Sequence, residues 1–359
     1  MKTKEYEGII DADLRVKLRE ERHWALTEDR HWLAILRRYN LIEQEQKAKK
    51  VPIVLVHGLA QNHYTWDLSE RSFQNYLVSE GFDTYNVELR GHSTSRAGRS
   101  PYPKSFEEYH QLDMPAIVNE VLDISGASQV FLCGHSLGCS VIYAYSIRHQ
   151  DCVAGIVSIG GPTHFGLVSL PNRLIGSGFH LLYNYLYPWP WILRQLPYVF
   201  GDLAGHFVTL NRWYFDHPKQ RFPMAVWHPL AIEWHLTEER MVKGWDRTGV
   251  PVFMTLMRWF ASPEGNISDD GKINYSRELN RLHVPVFFVV GNKDRVAPLH
   301  SIEPGYELCA SQDKSFRVFG GDGMCDYGHI DLILGQCASK DVWPVIDEWL
   351  TNRDRNMNS

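Results

Sequence analysis

Basic charge is short in this chain: 37 Lys and Arg stand against 42 Asp and Glu, a net charge of −5 over 359 residues. A nucleic-acid binder is normally basic, so that class is set aside. Cysteine is also scarce, with six residues and no C-x-x-C pair among them. That excludes a disulfide-built mini-domain and argues against a zinc or redox motif. The N-terminus, Met1-Lys2-Thr3-Lys4-Glu5-Tyr6-Glu7, lacks the apolar stretch of a secretory leader. The expectation is a cytoplasmic protein with reduced thiols. There is no repeat, no P-loop, no dinucleotide glycine fingerprint, no H-E-x-x-H and no EF-hand loop. No cofactor and no metal are therefore expected. One stretch, Leu174–Leu193, has no charged residue in 20 positions, enough to cross a bilayer. Ser177, His180, Asn184, Pro188 and Pro190 interrupt it, so it reads as a buried or lipid-touching helix instead.

What the chain has in quantity is aromatic: 16 Phe, 12 Trp and 17 Tyr. Seven of the tryptophans fall between Thr163 and Asn280, a helical, proline-punctuated stretch. On either side the rhythm differs. Short apolar runs at Val51–Val56, Phe82–Leu89, Val130–Cys133, Val153–Ile159, Val284–Val290 and Ser315–Phe319 read as strands. Helix-compatible stretches such as Glu70–Ser79 and Pro115–Ile124 separate the early ones. Alternating apolar strands and helices predict a mostly parallel sheet covered on both faces. Upstream, Arg22–Leu26 and His31–Arg38 read as two strands joined by the polar turn Thr27-Glu28-Asp29-Arg30. Glu43–Lys50 is polar and reads as an exposed connection.

The central motif is Gly134-His135-Ser136-Leu137-Gly138. Alone, G-x-S-x-G carries little information. Here it follows the strand Val130–Cys133 and precedes the helix-compatible Cys139–Arg148, the strand–turn–helix that a nucleophile elbow requires. A serine hydroxyl needs a base. Chain order Ser…Asp…His then selects Asp294, in the loop after Val284–Val290, and His329, beyond Ser315–Phe319. Asp322, Asp326 and Asp331 compete for the acid, but Asp326 and Asp331 lie too near His329 in sequence. His57 and His135 read as residues that fix backbone or packing. His92, His164 and His180 are candidates for a pocket wall, with a structural role favoured. Negative charge on the attacked carbonyl oxygen needs two N–H donors. Leu137, after the serine, and Leu59, in the loop His57-Gly58-Leu59, are the candidates.

With these residues in place, the chain resembles the α/β-hydrolase-fold serine hydrolases from about Glu21 to Leu350. Within them it is most similar to the acid lipase branch, the group of gastric and lysosomal acid lipases. His23-Trp24-Ala25-Leu26-Thr27-Glu28-Asp29, His57-Gly58-Leu59, Asp113-Met114-Pro115-Ala116 and Tyr327-Gly328-His329-Ile330-Asp331 carry the resemblance. It implies Ser136, Asp294 and His329 as the triad and Leu59 and Leu137 as oxyanion donors. Arg30 and Leu137 stand where that branch usually has glycine and glutamine. Asn292–Pro298 is more like the acid loop of general hydrolases. Some features also resemble polyester synthases, which carry cysteine where this chain has Ser136.

The expected architecture is an α/β-hydrolase core, 1–162 and 281–359, with an aromatic-rich helical cap inserted at 163–280. The expected activity is hydrolysis of lipophilic carboxylic esters through an acyl-enzyme on Ser136. An acyltransferase using the same triad, or a non-catalytic binding protein on the same fold, stays open. The expected partner is a lipophilic ester, not nucleic acid. Peripheral contact of the cap with a lipid surface and the oligomeric state are left open.

Overall fold

The computed structural model describes residues 3–40, 50–186, 188–199, 201–220, 222, 224–321, 323 and 325–358. Most of the polar connection at Glu43–Lys50 and Asp322 lie outside the described residues. Eleven strands are described: β1 Thr3–Asp11, β2 Leu14–Leu26, β3 Trp32–Asn40, β4 Ile53–Val56, β5 Thr84–Val87, β6 Val130–His135, β7 Val153–Ile159, β8 Tyr198–Val199, β9 Thr248–Gly249, β10 Val286–Gly291 and β11 Lys314–Phe319. Nine form one sheet in the order β1-β2-β3-β5-β4-β6-β7-β10-β11. β1, β2, β3 and β5 pair antiparallel in succession, and from β5 to β11 every pairing is parallel.

The inner parallel strands are buried on both faces. Every residue of β4, β5, β6, β7 and β10 is buried. Alternate side chains feed two cores: Val54, Val56 and Leu132 face one, while Ile53, Leu55 and Phe131 face the other. Helices Met114–Ser125 and Leu137–Ser146 cover the first core; Phe73–Ser79 and the C-terminal Trp343–Asn358 cover the second. β4 lies between β5 and β6, so the chain winds both ways from it. Such a switch point opens a crevice at the carboxyl ends of the strands.

β1 is not anticipated by the sequence pattern, which shows only a charged terminus there. Its burial pattern is exposed at the start and buried at Ile10, because it forms the sheet edge and covers little core. The Thr27–Arg30 turn is as expected, with Arg30 at φ 65° in the left-handed region. Its Asp29 accepts Arg90 Nη1 at 2.8 Å, while Arg90 Nε donates to Asp113 Oδ1 at 2.7 Å. One buried arginine therefore ties the turn, the strand β5 exit and the start of the Met114 helix together.

Between β7 and β10 the chain is mainly helical, as the sequence pattern anticipates. The uncharged stretch is not one helix: Leu170–Asn184 ends before Pro188, and Trp189–Gln195 follows. Helix Val250–Ala261 packs on the first of these, so closely at Gly176 that a Cβ there would lie 2.6 Å from the Met257 carbonyl oxygen. Among the described residues no helix is long and apolar enough to cross a membrane. Cysteine departs from expectation. Cys325 and Cys337 are joined in a disulfide, and Cys133, Cys139, Cys152 and Cys309 are free. The two partners are 12 residues apart, a spacing that carries no motif; the fold around the His329 loop brings them together.

Candidate active site

Ser136 sits between β6 and the helix Leu137–Ser146 with φ 56° and ψ −123°. A non-glycine residue held there stores roughly 1–3 kcal/mol of strain, compensated by the surrounding packing. The close approach requires small flanks. A Cβ on Gly138 would lie 2.5 Å from the Val56 carbonyl oxygen, and one on Gly58 would lie 3.0 Å from Ser136 Cβ. The β4 exit is thus pressed against the elbow. Leu137 opens its helix, so its N–H has no intrahelical acceptor. Leu59 lies in the turn that Gly58 lets pack there.

Asp294 and His329 meet. His329 Nδ1 and Asp294 Oδ2 are 2.7 Å apart, both residues buried. The other oxygen, Oδ1, accepts the N–H groups of Val296 at 2.8 Å and Ala297 at 2.7 Å. That fixes the carboxylate and makes Nδ1 the protonated ring nitrogen. His329 Nε2 is buried and makes no hydrogen bond among the described residues, including to Ser136 Oγ. Nucleophile–base contacts of this kind often tighten only with substrate bound. Ser136 joins the same place through its backbone. Its N–H donates to the Ile159 carbonyl at 3.1 Å, and the α-carbon of the next residue, Gly160, faces His329 Nδ1 and Asp294 Oδ2.

The competing acids are engaged elsewhere. Asp326 Oδ1 accepts Asn292 Nδ2 at 2.6 Å. Asp331 Oδ2 accepts the N–H groups of Gly328 and His228, both at 2.6 Å, and burial pushes its carboxyl up to about 8. It shapes the turn that carries His329 without touching the imidazole. Of the other histidines, His57 binds the Gly58 carbonyl and accepts the Leu89 N–H. His92 contacts Tyr109, His164 the Pro263 carbonyl and His180 Asn184, all structural placements.

His135 does more than pack. Its Nδ1 is 3.1 Å from Gln61 Oε1 and its Nε2 is 3.2 Å from the His329 carbonyl oxygen. Gln61 Oε1 also accepts the Gly58 N–H at 3.2 Å and the Thr65 hydroxyl at 2.9 Å. Both partners of His135 are acceptors, so the ring donates its single N–H to one of them and only contacts the other; the β4 loop, the elbow and the histidine loop meet around it. Burial, with the neighbouring His329, holds the His135 imidazole neutral, well below its ordinary range. Sequence reasoning missed Gln61 and Thr65, since no local pattern marks either. The Gln61–His135 and His135–His329 contacts span 74 and 194 positions.

The helical stretch touches the β4 loop, the Asp294 loop and the His329 loop. Asp246 N–H donates to the Ala60 carbonyl at 2.8 Å beside Gly58-Leu59. Asn172 Nδ2 donates to the Arg295 carbonyl at 3.0 Å, next to Asp294. Ile330 N–H donates to the Val226 carbonyl at 2.8 Å, next to His329.

The alpha/beta hydrolase fold family model matches residues 51–328. The chain is 22% identical over 333 residues to the poly(3-hydroxyalkanoate) polymerase subunit PhaC of Haloferax mediterranei, covering 88% of this chain and 62% of that protein. It therefore spans less than two thirds of that relative. The PhaC subunit of Allochromatium vinosum is 22% identical over 346 residues, covering 89% of this chain and 86% of the relative. Lipase member K of Mus musculus is 31% identical over 133 residues, covering 34% and 33%. Among solved structures, a monoacylglycerol lipase from Paleococcus ferrophilus superposes with a TM-score of 0.56 at 18% identity, covering 85% of this chain and 97% of that one. That likeness is one of fold. The likeness to the lipase spans a third of the chain, so it does not single out the acid lipase branch that the short motifs suggested.

Proposed function

This chain belongs to the α/β-hydrolase fold family, and from that premise we propose that it is a serine hydrolase of lipophilic carboxylic esters. The observation that carries the reading is the state of His329: buried, Nδ1 held by Asp294, Nε2 without a partner. A general base needs that free lone pair. Ser136 Oγ attacks the ester carbonyl carbon and its proton passes to Nε2. The Leu59 and Leu137 N–H groups meet the charge that grows on the carbonyl oxygen. Collapse expels the alcohol, which takes the proton from His329. Water, deprotonated by the same nitrogen, then frees the acid from Ser136. The stretch 163–280 acts as a cap, because it contacts the β4 loop, the Asp294 loop and the His329 loop. Its aromatic residues supply an apolar wall for the acyl chain.

The test is a panel of p-nitrophenyl esters. Each CH₂ buried by the acyl chain adds about 0.8 kcal/mol, or about fourfold in kcat/KM, until the pocket is full. The expected outcome is a rise from acetyl to at least hexanoyl. A steady fall beyond acetyl would remove the lipophilic substrate but leave the triad.

Likeness to polymerase subunits over nearly nine tenths of the chain favours one second reading, acyl transfer from the same acyl-enzyme to an alcohol or thiol. Adding an alcohol acceptor to the panel separates the two. Hydrolysis gives free acid alone, and transfer diverts acyl groups into a new ester in proportion to acceptor.

A further inference from the structure

Seventeen of the twenty-four large hydrophobic residues exposed among the described residues lie between Leu167 and Leu230. The concentration is patterned. On helix Leu170–Asn184 the outward positions are Leu170, Leu174 and Leu181, with Tyr185 at the cap, at intervals of four, seven and four. Asn172 and Gly176 on the other face are buried. Helix Gly201–Leu210 repeats the arrangement: Leu203, Phe207 and Leu210 point outward, while Gly205 and Val208 are buried. A surface helix ordinarily turns polar residues to water. These two turn leucine and phenylalanine to it, with Leu174 63% and Leu210 81% exposed.

Charge follows the same boundary. Between Leu167 and Leu230 two acids, Asp202 and Asp216, stand against five cations, Arg173, Arg194, Arg212, Lys219 and Arg221, in a chain of net charge −5, and from Cys152 to Gly201 there is no acid at all. Exposed Tyr185, Trp189, Trp191 and Trp213 add rings whose polar edge and apolar body suit the headgroup zone of a bilayer. No described helix can span a membrane. We infer that the outer surface of this helical stretch docks peripherally on a phospholipid bilayer and accepts anionic headgroups. That positive balance selects the occupant: anionic lipid is repelled by the acidic remainder of the chain but not by this surface. Docking does not require catalysis.

The test uses the full chain and sonicated vesicles of phosphatidylcholine with phosphatidylglycerol, scored by co-sedimentation. Brominated acyl chains in a second vesicle set should quench tryptophan emission. Leu174→Ser and Leu210→Ser should each weaken binding about tenfold, the lower end for burying a leucine side chain. Both should hydrolyse dissolved p-nitrophenyl acetate like the wild type, because neither touches the triad. Ser136→Ala should lose hydrolysis and still bind vesicles, which separates this inference from the hydrolase reading. Absence of vesicle binding by the wild type, or unchanged binding in both leucine variants, would overturn it. So would a dimer in light scattering that Leu210→Ser dissolves without any vesicle binding, since the surface would then pair two copies of the chain.

Discussion

Two buried arginines contrast the sheet core with the helical stretch above it. Arg90 and Arg240 are each 1% exposed. Arg90 is surrounded by the carboxylates of Asp29, Glu108 and Asp113. Arg240 has no carboxylate beside it among the described residues. Its Nη2 is 3.5 Å from the Thr65 hydroxyl, its Nε and Nη1 are unpartnered, and burial lowers it to about 9. Around Arg90 the core surrounds a buried cation with carboxylates. The helical stretch leaves a buried cation half-satisfied and turns apolar side chains out. Groups that must hold a reacting geometry belong to the first environment. Groups that meet variable substrates and surfaces tolerate the second, where local opening costs less.

The sharpest break of that contrast is at Ser136. Ser136→Ala should lower ester turnover by about 10⁶-fold, the scale of nucleophile removal in another serine hydrolase. An organophosphonate should label the wild type at Ser136 only, read by peptide mass spectrometry. Labelling elsewhere would move the nucleophile out of the elbow.

Next comes the acid. Asp294→Asn should cost up to about 10⁴ in kcat, as for the corresponding change in a serine protease. Asp326→Asn and Asp331→Asn should stay under a hundredfold, because their oxygens meet an amide and two backbone N–H groups, not the imidazole. Steady-state kinetics on one soluble ester rank the three.

A smaller effect is expected where the core network reaches the site indirectly. His135→Phe removes the ring that sits between Gln61 and the His329 carbonyl and the one N–H it donates to them, and kcat should fall roughly 10- to 100-fold, the scale of a small misplacement. KM should hardly change. Gln61→Leu should do the same by releasing Gly58 and Thr65. If either variant changes KM alone, the network serves substrate binding and not the geometry of His329.

The smallest effect is on stability, and it tests whether the core is as dry as its packing suggests. Burial lowers His57 to about 3, His92 to about 4 and His110 to about 3. Below about pH 6.5 the unfolded chain takes up protons that these native imidazoles refuse. Their contribution is therefore complete above that pH and is lost as pH falls toward 3–4, by about 1.4 kcal/mol per unit for each group. His110→Gln should make the acid limb shallower by about one proton in urea unfolding between pH 7.5 and 5. An unchanged slope would mean that His110 is hydrated in the native state.

The parallel strands were readable because burial on both faces leaves continuous apolar runs such as Val153–Ile159, and that run matches β7 at both ends. The elbow was readable because its strain demands small residues beside Ser136. β1 was not, because an edge strand needs no apolar run. Pro188 and Pro190 marked an interruption in the uncharged stretch, but uncharged composition suggested one helix and two form instead.

By itself the sequence determined what is local: strand periodicity, the small residues around Ser136, and the order in which serine, acid and histidine occur. Tertiary structure alone decided which polar groups meet. Asp294 bonds His329 and Asp331 does not, because β10 and β11 pair in parallel and bring their exit loops side by side, while the turn after His329 aims Asp331 at backbone N–H groups. Gln61, His135 and the His329 carbonyl meet because β4 and β6 are neighbours at the switch point of the sheet. The disulfide and the outward apolar faces of the helices arise in the same way. Hydrophobic periodicity tells a helix which residues share a face, but only its neighbours decide whether that face is covered.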